Sequence, residues 1–155
     1  DVLRNPVSPD VLNVSVDGRE DIVSTKVFPC SGFIHLQMKM ITDEILPTAT
    51  PDSCTTSWEH CLRRMARMVC ADVQEVGEAM ILQIARGYVN EEMALVKSVV
   101  SSVMQRYGCK KILTVGIGSK ILASWLNAHD LAAEMGSLSD AMPAWAVREA
   151  GLRTV

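Results

Sequence analysis

Hydrophobic and polar positions along the chain change period once, near Pro47 to Pro51, and the change predicts where strands give way to helices. Before it, Val11 to Val16 and Asp21 to Val27 are short β-prone runs around Asp17-Gly18, a dipeptide that tolerates the positive φ of a tight hairpin turn. Phe33 to Met40 alternates, with Ile34, Leu36, Met38 and Met40 on one face and His35, Gln37 and Lys39 on the other, which predicts a half-buried strand. After the break, Trp58, Leu62, Met65 and Val69 recur at spacings of four and three, the stripe of a helix lying on a core. Thr56-x-x-Glu59 ahead of them has the spacing of a capping box. A second helix is predicted from Gly77 to Tyr107, carried by Ile81, Ile84, Ala85, Tyr88, Leu95, Val99 and Val103, with Gly87 its weak point.

The remainder reads as a strand, a glycine turn and a helix. Lys111 to Val115 is β-branched, Gly116-Ile117-Gly118 closes it, and Ser119 to Ala128 places Ile121, Leu122, Trp125 and Leu126 at helical spacing. Ile112 to Val115 is expected to be buried. Ser139-Asp140 offers an N-cap to a last helix, Met142 to Ala150, which Gly151 is placed to end. The expected organisation is a strand-rich segment over residues 1–50 followed by a helix-rich α/β lobe over 51–155, within one structural unit.

Composition narrows the classes. Of 155 residues, 48% are hydrophobic and 21% charged, so the chain can bury a core and is not intrinsically disordered. A net charge of -3 gives no basic face for nucleic acid. No apolar run is long enough to cross a bilayer, so no membrane partner is expected. Five cysteines, an odd number without a C-x-x-C pair, argue against a disulfide framework and a zinc ribbon and point to a reducing, cytoplasmic setting.

The sharpest candidate chemistry is Val115-Gly116-Ile117-Gly118-Ser119. Glycines at the mouth of a strand let a ligand approach the backbone, and the next helix N-terminus offers free N–H groups to an anion. Gly116, Gly118 and Ser119 are therefore the candidate diphosphate- or nucleotide-binding residues, beside the simpler reading of a tight turn. The loop is not a Walker loop, and Ile121 stands where a Rossmann fingerprint needs a third small residue. His35, His60 and His129 with Cys54 or Cys61 lack metal-ligand spacing, so no protein metal site is expected and buried thiols account for the cysteines. Asp72, Glu75 and Glu78 read as a solvated face, and Met65, Met68, Met80 and Met93 as core.

Three segments in order carry a resemblance. The run Cys61 to Asp72, the strand with Gly116-Ile117-Gly118, and Leu138-Ser139-Asp140-Ala141-Met142-Pro143-Ala144-Trp145-Ala146-Val147 together resemble the C-terminal half of hydantoinase/oxoprolinase-related proteins. The group is the one linked to tetrahydromethanopterin-dependent one-carbon metabolism and methanofuran biosynthesis. The resemblance implies an α/β fold of the sugar kinase/Hsp70/actin superfamily, in which phosphates are held between two lobes, and it implies that Gly116 and Gly118 line the phosphate side of one lobe. Such proteins carry a second phosphate loop whose nearest counterpart here is Val14 to Val23, which keeps Asp21-Ile22 without the small hydroxyl residues. A chain of 155 residues is too short for two lobes, which leaves a fragment, an incomplete chain or a diverged copy.

The activity implied is transfer: a phenol-bearing tyramine derivative displaces diphosphate from a furan-methyl diphosphate, with Mg²⁺ as the implied cofactor. The partner is a small-molecule diphosphate, and a homo-oligomer is an open assembly state. The alternatives are an ATP-binding hydrolase or kinase-like relative, with ATP as ligand, and a non-catalytic assembly lobe. No residue here has a spacing that identifies a catalytic base.

Overall fold

A computed structural model describes residues 11–16, 19–24, 31–42, 50, 52–142, 144–145 and 148–149. The chain forms two compact units, Asp1–Val96 and Lys97–Val155, and the boundary falls inside one long helix. Helices dominate both units, and a short parallel strand pair in the second makes the architecture mixed α/β.

The first unit opens with β1 (Val11–Val16) and β2 (Arg19–Ser24), antiparallel with Val16 opposite Arg19, so residues 17–18 connect them as the hairpin reading expects. The stretch that resembles a second phosphate loop is thereby mostly paired strand rather than open loop.

Phe33 to Met40 was expected to be a strand, but Ser31–Gln37 is a helix, α1, with Phe33, Ile34 and Gln37 buried. Seven residues satisfy either period, and packing decides. Ser31 Oγ lies 3.1 Å from Tyr88 Oη and His35 Nε2 lies 2.7 Å from Glu92 Oε2, so residues four apart on α1 meet residues four apart on a second helix. Only the helical period aligns both pairs.

Helix α2 (Trp58–Arg67) starts one residue later than the capping-box spacing suggests. Ser57, not Thr56, is its N-cap, with its hydroxyl accepting the His60 N–H. Leu62 and Met65 are buried as expected and Val69 packs on the core, but Trp58 is 44% exposed because the stripe's first member sits in the opening turn, beyond the core. Helix α3 (Val73–Val76) follows, and the Glu75 carboxylate accepts the Asp72 backbone N–H at 2.9 Å. Gly77, at φ 81°, makes the bend into α4 (Glu78–Tyr107).

Helix α4 runs unbroken through Gly87, since tertiary packing around that position outweighs the roughly 1 kcal/mol a helical glycine costs. Ile81, Ile84, Ala85 and Tyr88 join Ile34, Leu62, Met65, Ala66 and Met68 in one apolar cluster. The same stripe was expected to stay buried to Val103, yet Val99 and Val103 are each 40% exposed. Thirty residues span about 45 Å, longer than the cluster they pack on. Met80 is exposed as well, against the core reading of the methionines.

Arg64 is 1% exposed, an unusual site for a guanidinium. Its Nε lies 3.1 Å from Asp52 Oδ2 and its Nη2 2.7 Å from Asp52 Oδ1, while the Cys54 and Thr55 carbonyls accept from Nη2 at 3.1 and 2.9 Å. The guanidinium also lies 4.6 Å from the Phe33 ring centroid. Paired and hydrogen-bonded in this way, the charge is tolerated, and it ties the 52–55 segment to α1 and α2.

In the second unit, β3 (Leu113–Thr114) and β4 (His129–Asp130) pair in parallel, Leu113 opposite His129, with α5 (Ser119–Leu126) between them. This is a βαβ unit. The strand is shorter than expected and only Thr114 of it is buried, Leu113 being 56% exposed, because a two-residue pair covers little surface. Helix α6 (Ala132–Met135) and a 3₁₀ turn (Gly136–Ser139) complete it. Residues 142, 144–145 and 148–149 are helical, and Gly151 lies outside the described residues.

Among the described cysteines Cys61 is buried, while Cys54, Cys70 and Cys109 are exposed free thiols, which corrects the expectation of buried thiols; Cys30 lies outside the described residues. No helix among the described residues is long and apolar enough to cross a membrane.

Candidate functional site

The glycine loop sits at the carboxyl end of β3 and runs directly into α5, the position at which parallel α/β units present ligands. Gly116 adopts φ 91°, a conformation that side chains strain to reach. Its carbonyl accepts the Ser119 N–H at 3.0 Å, which closes the turn. Gly118 is the N-cap of α5 at φ -88°. A Cβ built at Gly118 would meet nothing within 4 Å, so open space lies over the loop there.

Backbone partners divide the loop's amides. The Gly116 N–H donates to Ser139 Oγ at 2.8 Å, and Leu122 N–H donates to the Gly118 carbonyl at 3.1 Å. Lys120 and Ile121, in the first turn, have no i−4 carbonyl within the helix, so their N–H groups face the end that favours anions. Ser119 and Ser139, only 3% and 2% exposed, bracket the turn. Sequence reading treats Ser139 as a helix cap; instead its hydroxyl holds the loop, a contact across 23 residues that no local spacing announces.

The first unit contains a separate cavity of about 370 Å³, lined by charged side chains from α2, from the 52–54 segment and from the start of α3. Arg63 and Arg67, one helical turn apart, both line it with His60, Gln74, Asp52 and Asp72. Arg63 pairs with Glu59 and Arg67 with Asp72 at 3.2 Å, all four largely exposed. His60 Nδ1 lies 2.8 Å from Thr55 Oγ1 and 3.0 Å from Ser57 Oγ. The Arg64 side chain, by hydrogen bonding, holds the Asp52 carboxyl down at about 2, despite partial burial that pushes the other way. Arg63 and Arg67 carry no motif spacing of their own in the sequence, and it is their i, i+4 separation that puts two guanidiniums on one helical face.

The other two histidines sit in structural pairs. His35 meets Glu92 and His129 meets Glu134, the latter exposed. Among the described residues there is no group of three or more His, Cys, Asp or Glu that could hold a metal ion. Asp72 and Glu75 serve the helix start and the Arg67 pair.

No protein-family model matches the chain. It is similar to two curated proteins of the same name, each a synthase of a furan-2-yl methanamine whose furan carries a phenoxymethyl group with a γ-L-glutamylaminoethyl chain. The protein from Methanocaldococcus jannaschii is 28% identical over 129 residues, which are 83% of this chain and 39% of that protein. The protein from Methanococcus vannielii is 28% identical over 127 residues, 81% of this chain and 56% of its own length. The matched region thus spans well under two thirds of either relative.

Proposed function

We propose that the chain is part of a transferase of methanofuran biosynthesis that joins a phenol to a furan-methyl carbon with loss of diphosphate. The observation that carries this is the similarity, over about four fifths of the chain, to two synthases whose product contains that aryl ether. In the reaction the phenolic oxygen of a γ-glutamyl tyramine loses its proton and bonds to the furan methylene. The methylene–oxygen bond to diphosphate breaks, and diphosphate leaves with the electron pair.

The turn formed by Gly116, Gly118 and Ser119 would present the departing diphosphate to the start of α5. The space over Gly118 admits a phosphate, and the unpaired first-turn amides of α5 meet the charge that grows as the bond breaks. Ser139 fixes the loop in place through the Gly116 N–H. In this reading the loop belongs to one lobe of a sugar kinase/Hsp70/actin-like fold. Mg²⁺, when bound, would neutralise diphosphate; such ions take few protein ligands, because phosphate oxygens and water supply the rest.

The test is an assay of the chain in its full reading frame, with γ-glutamyl tyramine, the aminomethyl-furan-methyl diphosphate and Mg²⁺. The expected result is one diphosphate released per ether formed, read by mass spectrometry. Phosphate release from ATP without ether formation would replace transfer with ATP hydrolysis.

A further inference from the structure

The cavity on α2 is a second candidate site, in the first unit, and its case does not depend on the glycine loop. Its volume, about 370 Å³, lies in the range of small-ligand pockets. Three arginines line it against two aspartates. One aspartate, Asp52, is already consumed by the buried Arg64 through two nitrogens. What remains towards solvent is Arg63, Arg67 and His60, with Asp72 the single carboxylate among the lining groups left to oppose them.

The partners these arginines now have are easily exchanged. Arg63 is 59% exposed and its partner Glu59 70%; Arg67 is 58% exposed and Asp72 61%. Exposed pairs of this kind contribute little, so a ligand oxyanion can replace either carboxylate at small cost. The wall behind them is not exchangeable. Arg64, with its carboxylate and two carbonyl acceptors, clamps the 52–55 segment, and α2 holds Arg63 and Arg67 one turn apart. In the tautomer whose Nδ1 accepts from the Thr55 or Ser57 hydroxyl, the other His60 ring nitrogen carries the proton and is a donor. Gln74 adds an amide.

We infer that this cavity binds the oxyanion end of a small molecule, a carboxylate or phosphate group gripped by the Arg63 and Arg67 guanidiniums. Guanidinium forks match both groups with paired, charge-assisted hydrogen bonds.

Glutamate and inorganic diphosphate are the probes. Each is titrated into the full chain while the Arg Nε–H resonances and the Gly118 amide are followed by NMR. The first signals report this cavity and the last reports the loop. Saturable shifts at Arg63 and Arg67 with glutamate support a carboxylate ligand, and with diphosphate a phosphate ligand. Arg63→Gln and Arg67→Gln are each expected to weaken that binding about tenfold, the effect of losing one charged hydrogen bond. Glu59→Gln, which frees Arg63, is expected to tighten it about twofold. The inference fails if neither probe moves the arginine signals at millimolar concentration. It also fails if the double variant Arg63→Gln/Arg67→Gln, shown folded by an unchanged melting curve, binds as tightly as the parent chain.

Discussion

In Asp1–Val96, eleven of the described residues bury apolar side chains, whereas among the described residues of Lys97–Val155 Ile121 alone does, and the buried polar residues there are Thr114, Ser119 and Ser139. Large apolar side chains are distributed the other way: Val99, Val103, Tyr107, Leu113, Ile117, Leu138 and Trp145 are exposed in the second unit, against Trp58 and Met80 in the first. The first unit is therefore stabilised by removing apolar area from water. The second shapes its loop with backbone and hydroxyl hydrogen bonds, each worth about 1 kcal/mol net. A loop built this way is open and inexpensive to perturb locally, which suits ligand approach, while the cluster in the first unit resists any loss of volume.

The largest effect should come from that cluster. Leu62→Ala is expected to destabilise the first unit by about 2 to 5 kcal/mol through the cavity it leaves, measured by urea unfolding. Ile121→Ala should cost less than about 2 kcal/mol, since it has few buried apolar neighbours to lose. Equal costs would break the contrast between the units. Arg64→Ala should follow at about 3 kcal/mol, because both Asp52 and the carbonyls of Cys54 and Thr55 lose their donor. Ser139→Ala comes next at about 1 kcal/mol, and hydrogen exchange at the Gly116 amide should speed up while amides in α2 are unaffected.

The last effect is in acid. The Asp52 carboxyl is held at about 2 by Arg64, below the unfolded value near 3.9. A depressed carboxylate stabilises the fold above the unfolded pKa and loses that contribution as pH falls through the folded one. Between about pH 4 and pH 2 the parent chain should lose stability towards Asp52→Asn, and the two melting curves should converge. Parallel curves across that window would mean that the Arg64 clamp is not the source.

Long periodic segments were legible in the sequence. The stripe Leu62–Met65 and the run Ile81 to Tyr88 show enough turns for the helical period to dominate, and the hairpin follows from its two-residue connection. The segment Phe33 to Met40 was not, because seven helical residues fit both periods and the choice rests on Tyr88 and Glu92, more than fifty positions away. Of the loop, the turn at Gly116 to Ser119 could be read from its glycines, while the hold exerted by Ser139 could not. The charged cavity was hidden for a similar reason: Asp52 and Arg64 are twelve residues apart and come together only when α2 is docked.

The central claim is that the glycine loop receives diphosphate, and Gly118 is where it can be tested without breaking the turn. A Cβ there meets no neighbour within 4 Å and needs no positive φ, unlike Gly116. Calorimetric titration of diphosphate into the protein of the full reading frame and into its Gly118→Val variant, beside thermal melts of both, is the direct measurement. The account predicts at least about tenfold weaker binding, about 1.4 kcal/mol, because the isopropyl group takes up the open space over the loop that a phosphate needs, with a melting temperature close to the parent's. Unchanged affinity in the folded variant would contradict it and leave Gly116 to Ser119 as a turn between a strand and a helix.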